Sequence, residues 1–139
     1  SDLVFIGYSA EQMFALVDKV EAYPEFLPWC GGVSVQERTE AALVATLSIN
    51  YHGIRQSFTT RNQNQPPHAM QMQLVEGPFR HLTGSWKFTP LRADACKIEF
   101  DLHYEFSSKL LEHIIGPVFS KITNSFVDSF CQRAEKVYG

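Results

Sequence analysis

Asp101, His103 and Glu105 stand at alternate positions of CKIEFDLHYEF (96–106), so an extended strand puts all three on one face, as general acid/base work would require. Lys97 and Glu99 fall on the same face, with Lys87 in cross-strand reach, and a solvated polar surface accounts for the whole set without chemistry. Cys30, beside Gly31-Gly32, is a second candidate, a nucleophile. Its neighbours are apolar and no histidine is assigned to it, which reads as a small buried thiol. His52, His68, His81, His103 and His113 are scattered, and Glu112 adjoins His113 rather than standing a helical turn away, so no metal site is expected. No G-x-S-x-G, Walker A, G-x-G-x-x-G or H-E-x-x-H pattern occurs. The expectation is a protein with no catalytic residues, metal or cofactor.

The large apolar side chains are more informative. Eleven Phe, five Tyr and two Trp are many for 139 residues. They admit two readings, a well-filled core or the lining of a cavity for a hydrophobic molecule, made adaptable by Met70 and Met72. The stretch YPEFLPWCGG (23–32) concentrates the question: three rings, two prolines, a leucine and a cysteine with a single charge, Glu25.

Positioning these groups requires a particular order of elements. Leu3 to Ile6 make a short apolar strand ending at Gly7. Ser9 and Gln12 have the spacing of a capping box, and Phe14, Leu16, Val17 and Val20 follow at helical intervals, so a helix is expected to run until Pro24 forces it to stop near Tyr23. A second helical turn covers Glu25 to Leu27. From Val33 the period becomes 2 and persists through six runs broken at His52-Gly53, Pro66-Pro67 and Gly77-Pro78, the signature of an antiparallel meander with one apolar face. Ser107 or Ser108 then caps a helix of about 30 residues, roughly 45 Å long. Its expected stripe is Leu111, Ile114, Ile115, Val118, Phe119, Ile122, Phe126, Phe130, Ala134 and Val137, with a kink at Gly116-Pro117. The sheet must cover its apolar face, and this helix is the element long enough to do so.

Charge and composition set the boundaries. Net charge is −3 with 45% hydrophobic and 19% charged residues, which excludes a disordered chain and supplies no global attraction to nucleic acid. Three widely spaced cysteines suit reduced thiols rather than a disulfide framework. No stretch reaches the roughly 18 apolar residues of a membrane span, and no export signal opens the sequence. A cytoplasmic, monomeric single domain over residues 1–139 is expected, with no DNA partner and at most transient membrane contact.

YSAEQMFALVDKVEAYPEFLPWC, GPFRHLTGSWKFTPL and the Phe-rich last helix together resemble the coenzyme-Q-binding START-domain family, most of all its bacterial ribosome-association toxin branch. The likeness runs from about Tyr8 to Tyr138. It implies an α+β helix-grip (START/Bet v 1-like) fold, a curved antiparallel sheet wrapped around the long C-terminal helix, and no enzymatic activity. It also implies two functions: binding ubiquinone or a related isoprenoid lipid in support of respiration, or binding the large (50S) ribosomal subunit and blocking subunit joining, which inhibits translation. For the first, Tyr23, Phe26, Leu27 and Trp29, which follow a helix crossing the end of the curved sheet, are expected at the cavity mouth; alternation turns Met72, Trp86, Phe88, Phe100 and Tyr104 inward on the sheet, and the apolar stripe of the last helix brings Ile115, Phe119, Ile122 and Phe126 opposite them. For the second, Arg55, Arg61, Arg80, Lys87, Arg92 and Lys97 are the RNA-contact candidates on the wet face and strand ends.

Overall fold

The structure, a computed structural model, describes residues 2–139. Strand β1 (Asp2–Ile6) leads through Ser9 into helix α1 (Ala10–Asp18), a 3-10 turn (Val20–Ala22) and the short helix α2 (Tyr23–Phe26). Six strands follow: β2 (Cys30–Arg38), β3 (Ala42–Tyr51), β4 (Ile54–Gln65), β5 (Ala69–Glu76), β6 (Phe79–Arg92) and β7 (Ala95–Phe106). Helix α3 (Lys109–Tyr138) ends the chain.

The seven strands form one sheet in the order β1-β7-β6-β5-β4-β3-β2, every neighbour antiparallel. Consecutive strands β2 to β7 are neighbours, as a meander requires, while β1 lies at the far edge against β7. The helical segment between β1 and β2 therefore carries the chain from one sheet edge to the other. The fold is the α+β helix-grip architecture: one face of the sheet packs on α3, the other meets solvent.

Local chemistry explains the joints. Ser9 Oγ accepts from the Gln12 N–H at 3.1 Å and Gln12 Oε1 accepts from the Ser9 N–H at 2.9 Å, a complete capping box. Helix α1 stops earlier than its apolar spacing suggests, because Lys19 (φ −83°, ψ 71°) leaves the helical region and the next residues tighten into the 3-10 turn. Pro24 sits in the first turn of α2, where a missing N–H costs nothing. In the β3–β4 hairpin, His52 (φ 51°) and Gly53 (φ 81°) supply the two positive φ angles that a two-residue turn needs.

Helix α3 starts on Ser108, whose Oγ accepts from the Leu111 N–H at 3.1 Å. It runs as one continuous helix through Pro117. The buried spine is Ile115, Phe119, Ile122, Val127, Phe130 and Ala134. Ile114 and Val137, expected on the stripe, are instead exposed at 46% and 49%. Ile114 adjoins the fully buried Ile115 and so stands at the edge of the buried stripe, about 100° round the helix, while Val137 lies a turn beyond the last buried residue, Ala134.

Candidate ligand cavity

Inward-facing positions follow alternation through the middle of β4 to β7, with register shifts at Thr59/Thr60 against β5 and at Phe79/His81 and Pro90/Arg92 in the β6–β7 pair. Leu82, Gly84, Trp86 and Phe88 on β6 pair across to Tyr104, Leu102, Phe100 and Ile98 on β7. Met70 and Met72 on β5 stand beside Trp86 and Gly84. Trp86 is 1% exposed and touches Phe88, Phe100, Phe126 and Phe130, with ring centroids 4.5 to 5.7 Å apart. Such offset and edge-on contacts contribute beyond their buried area.

The sheet and α3 do not close completely. Between them lies a void of about 60 Å³, within a cleft whose empty space, its solvent-facing part included, is about 690 Å³. Gly84 lies behind this wall and lets Met72 and Leu102 sit back from the void, since a Cβ built there would stand 2.6 Å from Met72 Cε and 3.0 Å from Leu102 Cδ1. Of the residues proposed from sequence, Tyr23, Trp29, Met72, Trp86, Phe100, Phe119, Ile122 and Phe126 line the cavity. Val20, Ala45, Leu47, Phe58, Leu82 and Leu102 complete its apolar wall.

Phe26, Leu27, Phe88, Tyr104 and Ile115 lie outside that wall. Phe26 packs edge-on against Phe130, at 5.2 Å, beneath the Arg133 guanidinium, which lies 5.0 Å from the ring centroid. Leu27, 1% exposed, is part of the core, so YPEFLPWC clamps α2 onto α3 and only Tyr23 and Trp29 reach the cavity. Phe88 meets Phe14 of α1 edge-on, Tyr104 packs on Phe119 and Phe79, and Ile115 is fully buried on α3.

Three cavity-lining side chains are polar and were not anticipated: Thr60 and Asn62 on β4, and Thr123 on α3. Together with Asn64, Thr60 and Asn62 are the buried polar residues among the described ones. Their signal was present in the sequence, because Thr60, Asn62 and Asn64 continue the inward parity of Ile54, Gln56 and Phe58. Thr60 Oγ1 donates to Asn62 Oδ1 at 3.1 Å, and Asn62 Nδ2 donates to the Met70 thioether at 3.6 Å, a weak acceptor. Asn64 Nδ2 donates to Asp18 Oδ1 at 3.1 Å, while its own Oδ1 has no partner. Leaving a buried amide group without a good partner costs about 1–3 kcal/mol.

Among the described lining residues Tyr23 is the one titratable group. Tyr23 donates its hydroxyl to the Val17 carbonyl, and burial pushes its phenol upward, so it remains neutral. Burial likewise raises the thiols of Cys30 and Cys131 and brings that of Cys96 to about 11, which makes all three poor nucleophiles. Asp101 and His103 pair with Ser85 and Thr83 in the β6–β7 ladder, on the solvent side, and Glu105 bridges to Arg80 and His81. No cluster of His, Cys, Asp and Glu able to hold a metal occurs among the described residues. No helix among them is long and apolar enough to cross a membrane.

The RNA-contact candidates occupy the solvent face and strand ends. Arg61 pairs with Glu37 at 3.0 Å, Arg80 with Glu105 at 3.2 Å, Arg92 with Asp94 at 2.9 Å and Lys97 with Glu99 at 3.5 Å. Arg55 and Lys87 are exposed and have no carboxylate within 4.0 Å among the described residues.

A sheet gripping a helix over an apolar void points toward one family, and the model for polyketide cyclase / dehydrase and lipid transport proteins matches residues 6–131. The chain belongs to this family. Within the family, the "Ribosome association toxin RatA" of Vibrio cholerae is 48% identical over 134 residues, covering 96% of this chain and 93% of the relative. The "Persistence and stress-resistance toxin PasT" of Escherichia coli O6:H1 is 46% identical, covering 99% and 87%. The mitochondrial "Coenzyme Q-binding protein COQ10 homolog B" of Xenopus laevis is 28% identical, covering 100% of this chain and 59% of that protein. Among solved structures, the Zhui aromatase/cyclase of Streptomyces sp. R1128 superposes with a TM-score of 0.81 at 16% identity, covering 99% and 93%. That likeness concerns the fold alone.

Proposed function

We propose that this chain holds one small, mainly apolar molecule of the isoprenoid-quinone type between its sheet and α3, carrying out no chemistry on it. The observation that carries this reading is the void itself, walled by Trp29, Trp86, Phe100 and Phe126. Flat aromatic walls suit a flat ring. The Xenopus relative, by its name, binds coenzyme Q. A void of about 60 Å³ has room for about four waters, at roughly 15 Å³ each on the same measure, so a quinone ring enters by moving the wall. Met72, a flexible thioether on that wall, supplies the adaptability. The absence of any carboxylate, histidine or reactive thiol from the lining supports a carrier rather than a cyclase. Native mass spectrometry of protein purified from its own host tests the reading. A co-purified quinone-sized mass supports it; a bare protein that also fails to take up added short-chain ubiquinone refutes it.

A second activity is favoured by the identity gradient: 48% to a ribosome association toxin against 28% to a coenzyme Q-binding protein. We propose that the chain acts in the cytoplasm on the large ribosomal subunit through the solvent face of its sheet. Arg55 and Lys87 are the expected phosphate contacts. The exposed pairs of Arg61, Arg80 and Arg92 are each worth about 0–1 kcal/mol, so a phosphate can replace the carboxylate at little cost. Sedimentation with purified large subunits across a salt series decides: binding at low salt that weakens steeply as salt rises, and is lost in an Arg55→Glu/Lys87→Glu variant, supports the footprint. No pelleting at low salt removes it.

A further inference from the structure

Asn62 has more hydrogen-bonding capacity than the protein uses. Its carboxamide oxygen accepts from Thr60, but its nitrogen, which carries two N–H groups, meets only the Met70 sulfur among the described residues. Thr60, having given its hydroxyl hydrogen to Asn62, has lone pairs without a donor among those residues. Both side chains are more than nine-tenths buried, at 6% and 7% exposure, and both face a void otherwise walled almost wholly by hydrocarbon. Core positions with no polar task are filled by apolar residues elsewhere on this face: Phe58, two residues before Thr60 on the same strand, is one. A fixed donor at a defined place on an apolar wall is what orients a ligand with one polar end.

We propose that Asn62, held in orientation by Thr60, is the polar anchor of the cavity, donating its spare N–H to a carbonyl oxygen on an otherwise apolar, ring-bearing ligand. This rests on the cavity-binding reading above and adds to it a direction: the carbonyl end lies against β4 and the apolar remainder against Trp86, Phe100 and α3. Thr60 lone pairs lie next to the same point. A ring carrying a hydroxyl in place of the carbonyl is received there as a donor, so both a quinone and its reduced form fit the one site.

The test compares two probes of equal tail length, a decyl-substituted ubiquinone and decylbenzene, by equilibrium dialysis against the parent, Asn62→Leu and Thr60→Val. Asn62→Leu is close in volume and removes the amide; it should weaken the quinone about tenfold while leaving decylbenzene unchanged or tighter. Thr60→Val, which frees the amide to rotate, should weaken the quinone by a smaller factor. If Asn62→Leu does not fold, Asn62→Ala, which cannot overfill the site, takes its place. Equal loss of both probes, or equal retention of both, overturns the anchor and leaves the cavity reading intact. Failure of both probes to bind the parent overturns the cavity reading and the anchor with it.

Discussion

Replacing Gly84 by alanine separates the stability of this fold from its capacity to bind. The new methyl stands 2.6 Å from Met72 Cε, 3.0 Å from Leu102 Cδ1 and 3.3 Å from the Asp101 carbonyl oxygen. Only the carbonyl is rigid, and at that distance it requires an adjustment of a few tenths of an ångström. The Met72 methyl is the far end of a flexible chain, and the void beside it gives it somewhere to go. Removing a glycine from a strand interior gains about 0.5–1 kcal/mol, while forcing an extra carbon into a filled core costs about 1–3 kcal/mol. With Met72 turned into the void the second figure falls toward its lower bound, and the two nearly cancel. The net loss should be about 0–1.5 kcal/mol, a midpoint shift under about 6 °C for a domain of this size. The void, however, loses a volume on the order of one water, roughly 15 Å³ on the measure that makes the whole about 60 Å³, from a space already small. Affinity for a decyl-substituted ubiquinone should fall at least tenfold. Urea unfolding gives the first quantity and dialysis the second. Unchanged affinity in a well-folded Gly84→Ala protein would refute the assignment of this void as the binding site.

Further expectations follow from single contacts. Phe130, fully buried among Tyr23, Phe26, Trp86 and Phe126, should cost about 3–5 kcal/mol on truncation to alanine, read as a lower urea midpoint. Ser9→Ala deletes one half of the capping box and should cost about 1 kcal/mol by the same measurement, with ligand affinity unchanged because α1 does not line the void. Burial, aided by the negative charges of Cys131 and Glu11, pushes the Cys96 thiol from 9.0 up to about 11, so the folded state favours the protonated thiol. Its contribution is complete below pH 9 and is lost as pH rises from 9 through 11, by about 2–3 kcal/mol at most. Urea midpoints measured from pH 8 to 11 should fall, and fall less steeply in Cys96→Ala.

Much of the fold was legible because alternation and capping are local signals. Cys96 to Phe106 changes side at every residue, and β7 follows that pattern through its whole length. Ser9 and Gln12 marked the start of α1 by spacing alone, and the Ser107-Ser108 pair marked that of α3, where Ser108 is the cap. What alternation reports is the side of the sheet, and not whether the facing atoms touch, so the choice between a packed core and a void rested on three-dimensional fit. The same limit hid the separation of Phe88 and Tyr104 from Trp86 and Phe100: all share one inward face, but the void spans only the middle of it. Thr60, Asn62 and Asn64 escaped notice for a different reason. Polar residues at inward positions look like the end of an apolar run, and only the unbroken ladder from Ala42↔Gln63 to Tyr51↔Ile54 shows that β4 continues past Phe58 with its parity intact. Ile114 and Val137 erred the other way: helical spacing gives the face of a rod and neither its width, which leaves Ile114 at the edge beside buried Ile115, nor its length, which ends at Ala134 before Val137.

Strand β4 also bears on whether the two proposed activities exclude one another. Along it, Thr60 and Asn62 point into the cavity while Arg61, between them, points to solvent and pairs with Glu37. The pleat thus places the ligand-facing and the charged sets on opposite sides of one backbone, roughly a side-chain length apart on either side. A ligand bound as proposed would touch α3 and the inner side chains, and a ribosomal surface bound as proposed would touch only the outer ones. Neither contact competes for an atom the other needs, so occupancy of the cavity leaves Arg55 and Lys87 available. One sheet can present both proposed surfaces, because its two faces are chemically independent wherever alternation is unbroken.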